Sequence, residues 1–202
     1  MRLFRRRRFV PERQSPVTDA LPTQPRRVFD ALARHRVDYV TIGGVAVQAY
    51  GHVRTTQDVD IVAAGGRANL ERLAAALSEL RAHMRGVDAH LLGIDPADPA
   101  ALAAGANFTL ATAAGPLDVW TDTDELRGSP PWEELLERAH SVRLPNADLQ
   151  VVVAAREDLI ALKRAAAPAR ATEEKRRLDL DDIVFLAGSS QRGGESPPDA
   201  GS

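Results

Sequence analysis

Asp38-Tyr39-Val40-Thr41-Ile42-Gly43-Gly44, and then Arg54-Thr55-Thr56-Gln57-Asp58-Val59-Asp60-Ile61-Val62-Ala63, read as a strand, a glycine turn and a second strand. The first run is apolar and β-branched, which suits a strand. Val45 to Tyr50, after the glycine pair, reads as a short helix. Thr55 to Ala63 then reads as a strand with bulk from Val59, Ile61 and Val62. Successive strand side chains alternate between faces. Thr56, Asp58 and Asp60 are therefore expected on one face, with Val59 and Ile61 in the core. Two adjacent carboxylates repel each other, and a divalent cation removes that cost. Oxygen-only ligands favour Mg²⁺ or Mn²⁺ over zinc. Glycines at a helix start let the backbone approach phosphate, and the helix N-terminus favours anions.

A third carboxylate would complete the metal site. Asp118, in Pro116-Leu117-Asp118-Val119-Trp120, is the best candidate because apolar strand residues flank it. Paired metals in such a site clamp the attacking and leaving oxygens of a phosphoryl or nucleotidyl transfer. Asp118 would also take the acceptor's proton. The surrounding pattern is mixed. Val28 to Ala33 after Pro25 reads as a helix, and Asn69 to Arg85 carries leucines at helical spacing. Ala89 to Leu92, Phe108 to Ala111 and Leu117 to Trp120 read as strands. Trp132 to Ala139 reads as a helix. Ser141 to Leu144 and Leu149 to Ala154 read as a hairpin across Pro145–Asp148. Glu157 to Ala166 and Glu173 to Leu186 read as the last two helices. This order predicts an α/β (α+β) fold, a mixed central sheet flanked by helices, with a small mainly helical C-terminal part. The expected organisation is a flexible basic arm over 1–22, a core over 23–127, a C-terminal hairpin and helices over 128–187 that complete the site, and a disordered tail over 188–202.

Composition narrows the function. The chain has 202 residues, 44% hydrophobic and 27% charged, which is a globular balance. It has no cysteine, which excludes a disulfide framework, a thiolate metal site and a cysteine nucleophile. No apolar run approaches the ~20 residues that span a bilayer, and the basic start lacks the apolar stretch of a secretory signal. A cytoplasmic protein with no membrane partner is the expectation. The net charge is −2, so the chain as a whole is no generic nucleic-acid binder. The run Arg5 to Arg8 nevertheless offers a local basic arm for RNA phosphates or an acidic partner.

The glycine pair followed by Asp58-Val59-Asp60 resembles the nucleotidyltransferase superfamily that includes DNA polymerase beta. Within it the chain looks most like the toxin-type branch, the abortive-infection and MenT-type tRNA nucleotidyltransferase toxins. The resemblance runs from about Val28 to Leu186. Its second part is Arg156-Glu157-Asp158-Leu159-Ile160-Ala161-Leu162-Lys163, followed by Arg176-Arg177-Leu178-Asp179-Leu180-Asp181-Asp182. The resemblance implies a minimal nucleotidyltransferase fold. It also places Lys163 and Asp179 in the active site beside Asp58, Asp60 and Asp118, with Asp182 as the alternative to Asp179. Lys163 is one of only two lysines, with Lys175, among 26 basic residues. Gly43 and Gly44 would cradle the NTP phosphates, and Arg54, Thr56, Lys163 and Arg176 would complete the nucleotide site. The implied reaction is Mg²⁺-dependent transfer of NMP from an NTP to an RNA acceptor, a tRNA 3′ end, by a toxin with a cognate antitoxin. Thr56 is then either a phosphorylation site for that antitoxin or a strand threonine that orients Asp58.

Two other readings compete. A small-molecule nucleotidyltransferase, of the kind that adenylylates aminoglycosides, would use the same metal site. An acidic pocket from Asp122, Asp124 and Glu125 would favour it. A non-catalytic nucleotide-binding subunit is the other, against which the intact Asp58, Asp60 and Lys163 argue. His52 either contacts nucleotide or RNA or is an ordinary loop or surface residue, and Trp120 shares the strand face of Asp118, either packing there or stacking on a base.

Overall fold

The computed structural model describes residues 23–86, 93–105, 107–121, 123–124, 126–144 and 149–190, with side chains described to 188. The arm over 1–22, the strand expected at Ala89–Leu92, the turn Pro145–Asp148, Asp122, Glu125 and the tail beyond 190 lie outside them. Helix α1 (Pro25–Arg34) starts on a proline whose fixed φ suits a first helical turn. Strand β1 (Tyr39–Ile42) runs directly into α2 (Gly43–Ala49). Strand β2 (Val59–Ala63), α3 (Arg67–Glu79) and β3 (His83–Met84) follow. Then come α4 (Pro99–Ala103), β4 (Asn107–Thr112) and β5 (Gly115–Trp120). The chain continues through α5 (Trp132–Arg138), β6 (His140–Arg143), β7 (Gln150–Val153), α6 (Arg156–Ala166) and α7 (Glu173–Ser190).

The strands form one mixed sheet in the order β3-β4-β5-β2-β1-β7-β6. Strands β2 and β5 are parallel, as are β1 and β7, and the other neighbours are antiparallel. The fold is therefore the expected α/β arrangement, a mixed sheet flanked by helices. The segment after residue 127 adds strands as well as helices, because β7 hydrogen-bonds to the central β1. Val59, Ile61, Leu117 and Val119 are fully buried on one sheet face. Helix α3 buries Leu70, Leu73 and Leu77, and packs on both β2 and α1. The buried Asn69 side chain bonds the backbone of Asp38 and Ala64, which pins the β1 and β2 ends away from the glycine turn.

Several element boundaries differ from expectation; α7 runs on to Ser190, into the stretch expected as tail, and two others have a local cause. The second strand begins at Val59, not Thr55. The Ile42–Asp60 pair is the last between β1 and β2, because β1 turns into a helix at Gly43. Residues 55–58 thus have no strand to pair with. The leucine-rich helix ends at Glu79, not Arg85. Arg81 takes a left-handed φ of 53°, and Ala82 N–H bonds back to Leu77 O at 2.9 Å, closing the helix before β3.

Candidate active site

The register of the sheet assembles the carboxylates. Asp60 pairs with Asp118 across the parallel β2–β5 ladder, so both side chains emerge on the same face. Asp58 lies just before β2 and joins them. One oxygen from each of Asp58, Asp60 and Asp118 falls within a 4.8 Å cluster. Thr56 Oγ1 donates to the Asp58 carbonyl at 3.1 Å and lies 3.3 Å from Asp58 Oδ1. Thr56 therefore orients Asp58, although it stands outside the strand.

The glycine pair is shaped by the same contacts. Gly43 has φ +64°, and a Cβ there would lie 2.0 Å from Asp60 Oδ2. A Cβ on Gly44 would lie 2.4 Å from Thr56 Oγ1. A side chain at Gly43 would displace Asp60, and one at Gly44 would displace Thr56, which orients Asp58. Gly43→Ala is expected to cost about 1–2 kcal/mol for the left-handed backbone alone and to weaken Mg²⁺ binding by moving Asp60. Denaturant unfolding and a metal titration check the two effects.

Burial and like charge set the electrostatics of this cluster. Burial, then the charges of Asp58 and Asp118, push the Asp60 carboxyl up to about 7, against the pull of Lys163 and Arg170. Burial, then Asp58, raises Asp118 as well. Asp118 Oδ1 is buried without a hydrogen-bond partner, and the nearest guanidinium nitrogen, on Arg85, is 4.0 Å away. Three oxygen donors, one orphaned and all mutually repelling, fit a divalent cation of the Mg²⁺ or Mn²⁺ kind. The raised Asp60 value has a sign. Between 3.8 and about 7 the folded protein holds a proton that the unfolded chain has released, so metal-free stability falls as pH rises through that window. Added Mg²⁺ is expected to raise the melting temperature more at pH 7.5 than at pH 5.5. Thermal scans with and without EDTA check this.

A second charge cluster sits on α6 and α7. Helix α6 is fixed by a two-pronged bond from Arg138 to the buried Asp158, at 2.7 and 3.1 Å. This aims Lys163 inward, where its Nζ lies 3.0 Å from Asp179 Oδ1 and 2.7 Å from Asp182 Oδ2. Arg54 pairs with Asp182, which is fully buried. Arg170 Nε lies 2.6 Å from Asp179 Oδ2. Burial alone would raise Asp179, but bonds from Arg170 and Lys163 bring it below the usual carboxylate range. His52 Nε2 stands 3.6 Å from Asp182 Oδ1, with its ring stacked on Phe185 at 4.4 Å.

A cavity of about 480 Å³ opens between this sheet face and α6. Gly43, Asp60, Asp118, Lys163 and Arg170 all line it. Arg176 does not. It lies on the exposed start of α7 and pairs with Glu173 at 2.7 Å, so the structure does not bring it to the cavity. Arg170, after the short helical turn Ala167–Ala169, does line it. Arg170 carries no sequence signal that separates it from the many other arginines. Asp182 was legible only as a neighbour of Asp179, and the structure uses both.

No protein-family model matches the sequence, and no curated protein matches it. Solved structures do resemble it. The lincosamide antibiotic adenylyltransferase LnuA with lincomycin bound matches at TM-score 0.52 and 12% identity, over 82% of this chain and 99% of that one. ANT(2'')-Ia in complex with adenylyl-2"-tobramycin matches at 0.48 and 17% identity, over 84% and 97%. An antigenic nucleotidyltransferase-like protein from Paracoccidioides brasiliensis matches at 0.49 and 15% identity, over 83% and 78%. The likeness to LnuA shows that the chain shares the fold of that protein. Among the described residues no helix is long and apolar enough to cross a membrane.

Proposed function

We propose that this protein transfers a nucleoside monophosphate from an NTP to a hydroxyl of an acceptor, releasing pyrophosphate. The observation that carries the proposal is the cluster of Asp58, Asp60 and Asp118, with Asp60 packed directly on the Gly43 turn. Divalent cations held by those three carboxylates would neutralise the charge that develops on the transferring phosphate. Gly43 and Gly44 give the phosphates a backbone approach at the start of α2. Lys163 and Arg170 face the same cavity and balance the negative charge of the leaving pyrophosphate. Asp179 and Asp182 hold Lys163 in place. The acceptor oxygen bonds to the α-phosphorus as the bond to pyrophosphate breaks, and Asp118 accepts the hydroxyl proton.

The acceptor we favour is an RNA 3′ end, and a tRNA end would make the protein a translation-blocking toxin. Among the described residues the cavity is lined by the cations Arg127, Lys163 and Arg170, while its only carboxylates are Asp60 and Asp118. Among the described residues a polycationic acceptor would find no further acidic side chain there; Asp122 and Glu125 lie outside them. Asp124, expected in an acidic subsite, does not line the cavity. The second reading, a small-molecule acceptor, is supported by the likeness to a lincosamide adenylyltransferase and by a cavity large enough for one. Pyrophosphate release with each NTP, in the presence of total RNA, lincomycin or kanamycin, separates the two. Release dependent on RNA is expected. Release dependent only on an antibiotic would replace the RNA reading.

A further inference from the structure

We propose that Trp120, beside Asn107, is the residue that seats the acceptor, stacking on the terminal base of an RNA 3′ end. This rests on the transfer reaction above and names the acceptor side of its site. The sheet order decides which side that is. Strand β2 carries Asp60, with β1 and its glycine turn on one flank and β5 then β4 on the other. In an in-line displacement the attacking and leaving oxygens stand on opposite sides of the phosphorus. With the phosphates on the Gly43 flank, the acceptor enters over β5 and β4.

What lies on that flank follows from the register. Thr109 pairs with Asp118, and Asn107 pairs with Trp120. All four side chains share the half-open face, while Phe108, Leu110, Leu117 and Val119 fill the opposite one. Trp120 stands two residues beyond Asp118, about 7 Å along the strand. That is about the span from a ribose hydroxyl to its base. Trp120, which packs partly against the hydrophobic core, and Asn107 both line the cavity, together with Leu162, Ala165 and Ala166 of α6. Among the described residues no aromatic ring or guanidinium stacks on the indole. A base has a π-face for the indole and a polar edge for the amide. Arg127, at the same cavity, suits the phosphate that precedes it.

The protein has two tryptophans, and Trp132 begins α5, away from the cavity lining. In Trp132→Phe protein, Trp120 is therefore the sole indole. Adding the RNA trinucleotide CCA, without NTP, is expected to quench its fluorescence saturably. Inorganic tripolyphosphate and kanamycin are expected to leave it unchanged. In the Trp120→Ala protein the KM for CCA-ended RNA should rise about tenfold or more, the scale of one lost base–aromatic stack. The KM for NTP and kcat should stay within twofold and threefold, and Trp120→Phe should recover most of the RNA KM. Absence of CCA quenching in folded Trp132→Phe protein would overturn the assignment. So would quenching by kanamycin, or a Trp120→Ala effect on the NTP KM alone. Quenching needs no turnover, so CCA binding without any transfer would fault the reaction and leave the subsite standing.

Discussion

Asp60→Asn is expected to lower nucleotidyl transfer at least about a thousandfold while raising the melting temperature of the metal-free protein. The loss of rate follows from losing a ligand at the charge-neutralising centre, where a metal ion supplies several kcal/mol. The gain in stability follows from the same geometry. Asp60 is held among Asp58 and Asp118 with its carboxyl pushed up to about 7, so its charge opposes folding at neutral pH. Asparagine keeps the shape and removes the repulsion. An increase of about 2 °C or more in EDTA, shrinking toward zero as pH falls to 4, is the expected pattern. Calorimetry across pH reads it. A lower melting temperature for the variant in EDTA would mean that the carboxylates do not repel one another in the folded protein. An inactive variant of that kind would be merely misfolded.

Lys163→Met is expected to have the opposite signature, losing activity and stability together. Lys163 is 6% exposed, and its partners Asp179 and Asp182 are 3% and 0% exposed. Removing one member of such a cluster leaves carboxylates buried with too little positive charge, at a cost of about 3 kcal/mol. Arg54 and Arg170 still pair with the two aspartates, which keeps the cost at the low end. Transfer should fall about a hundredfold, because a fixed cation facing the leaving phosphate is gone. The Lys163→Met/Asp179→Asn pair should recover part of the stability and none of the rate. Denaturant unfolding of the single and double variants gives the coupling. Additive losses would show that Lys163 and Asp179 do not act as a pair in the fold.

These two residues also show what the sequence makes legible. Asp60 and Asp118 can be read because strand alternation is a short-range rule and apolar strand residues flank both. Asp58 is found by its spacing of two from Asp60, although it lies just before β2. Their meeting depends on the β2–β5 register, which two strand patterns suggest but do not determine. The limits of β2 are harder, since they are set by where β1 stops pairing and not by the residues of β2 itself. Thr56 fits a strand by composition and sits in irregular chain before β2, because its partner strand has ended. The cations are harder still. Lys163 stands out by rarity and by its place on an amphipathic helix. Arg176 and Arg170 look alike in the sequence, and only the turn at Ala167–Ala169 decides which of them reaches the cavity. The bridge from Arg54 to Asp182 spans most of the chain and has no local signature.

The most direct measurement is incubation of the purified protein with total tRNA, Mg²⁺ and each α-labelled NTP in turn, resolved on a denaturing gel. A labelled RNA band is expected with at least one NTP, absent with EDTA and absent with Asp60→Asn. No labelled band and no pyrophosphate with any of the four, from protein that still binds NTP and Mg²⁺, would overturn the proposed transfer.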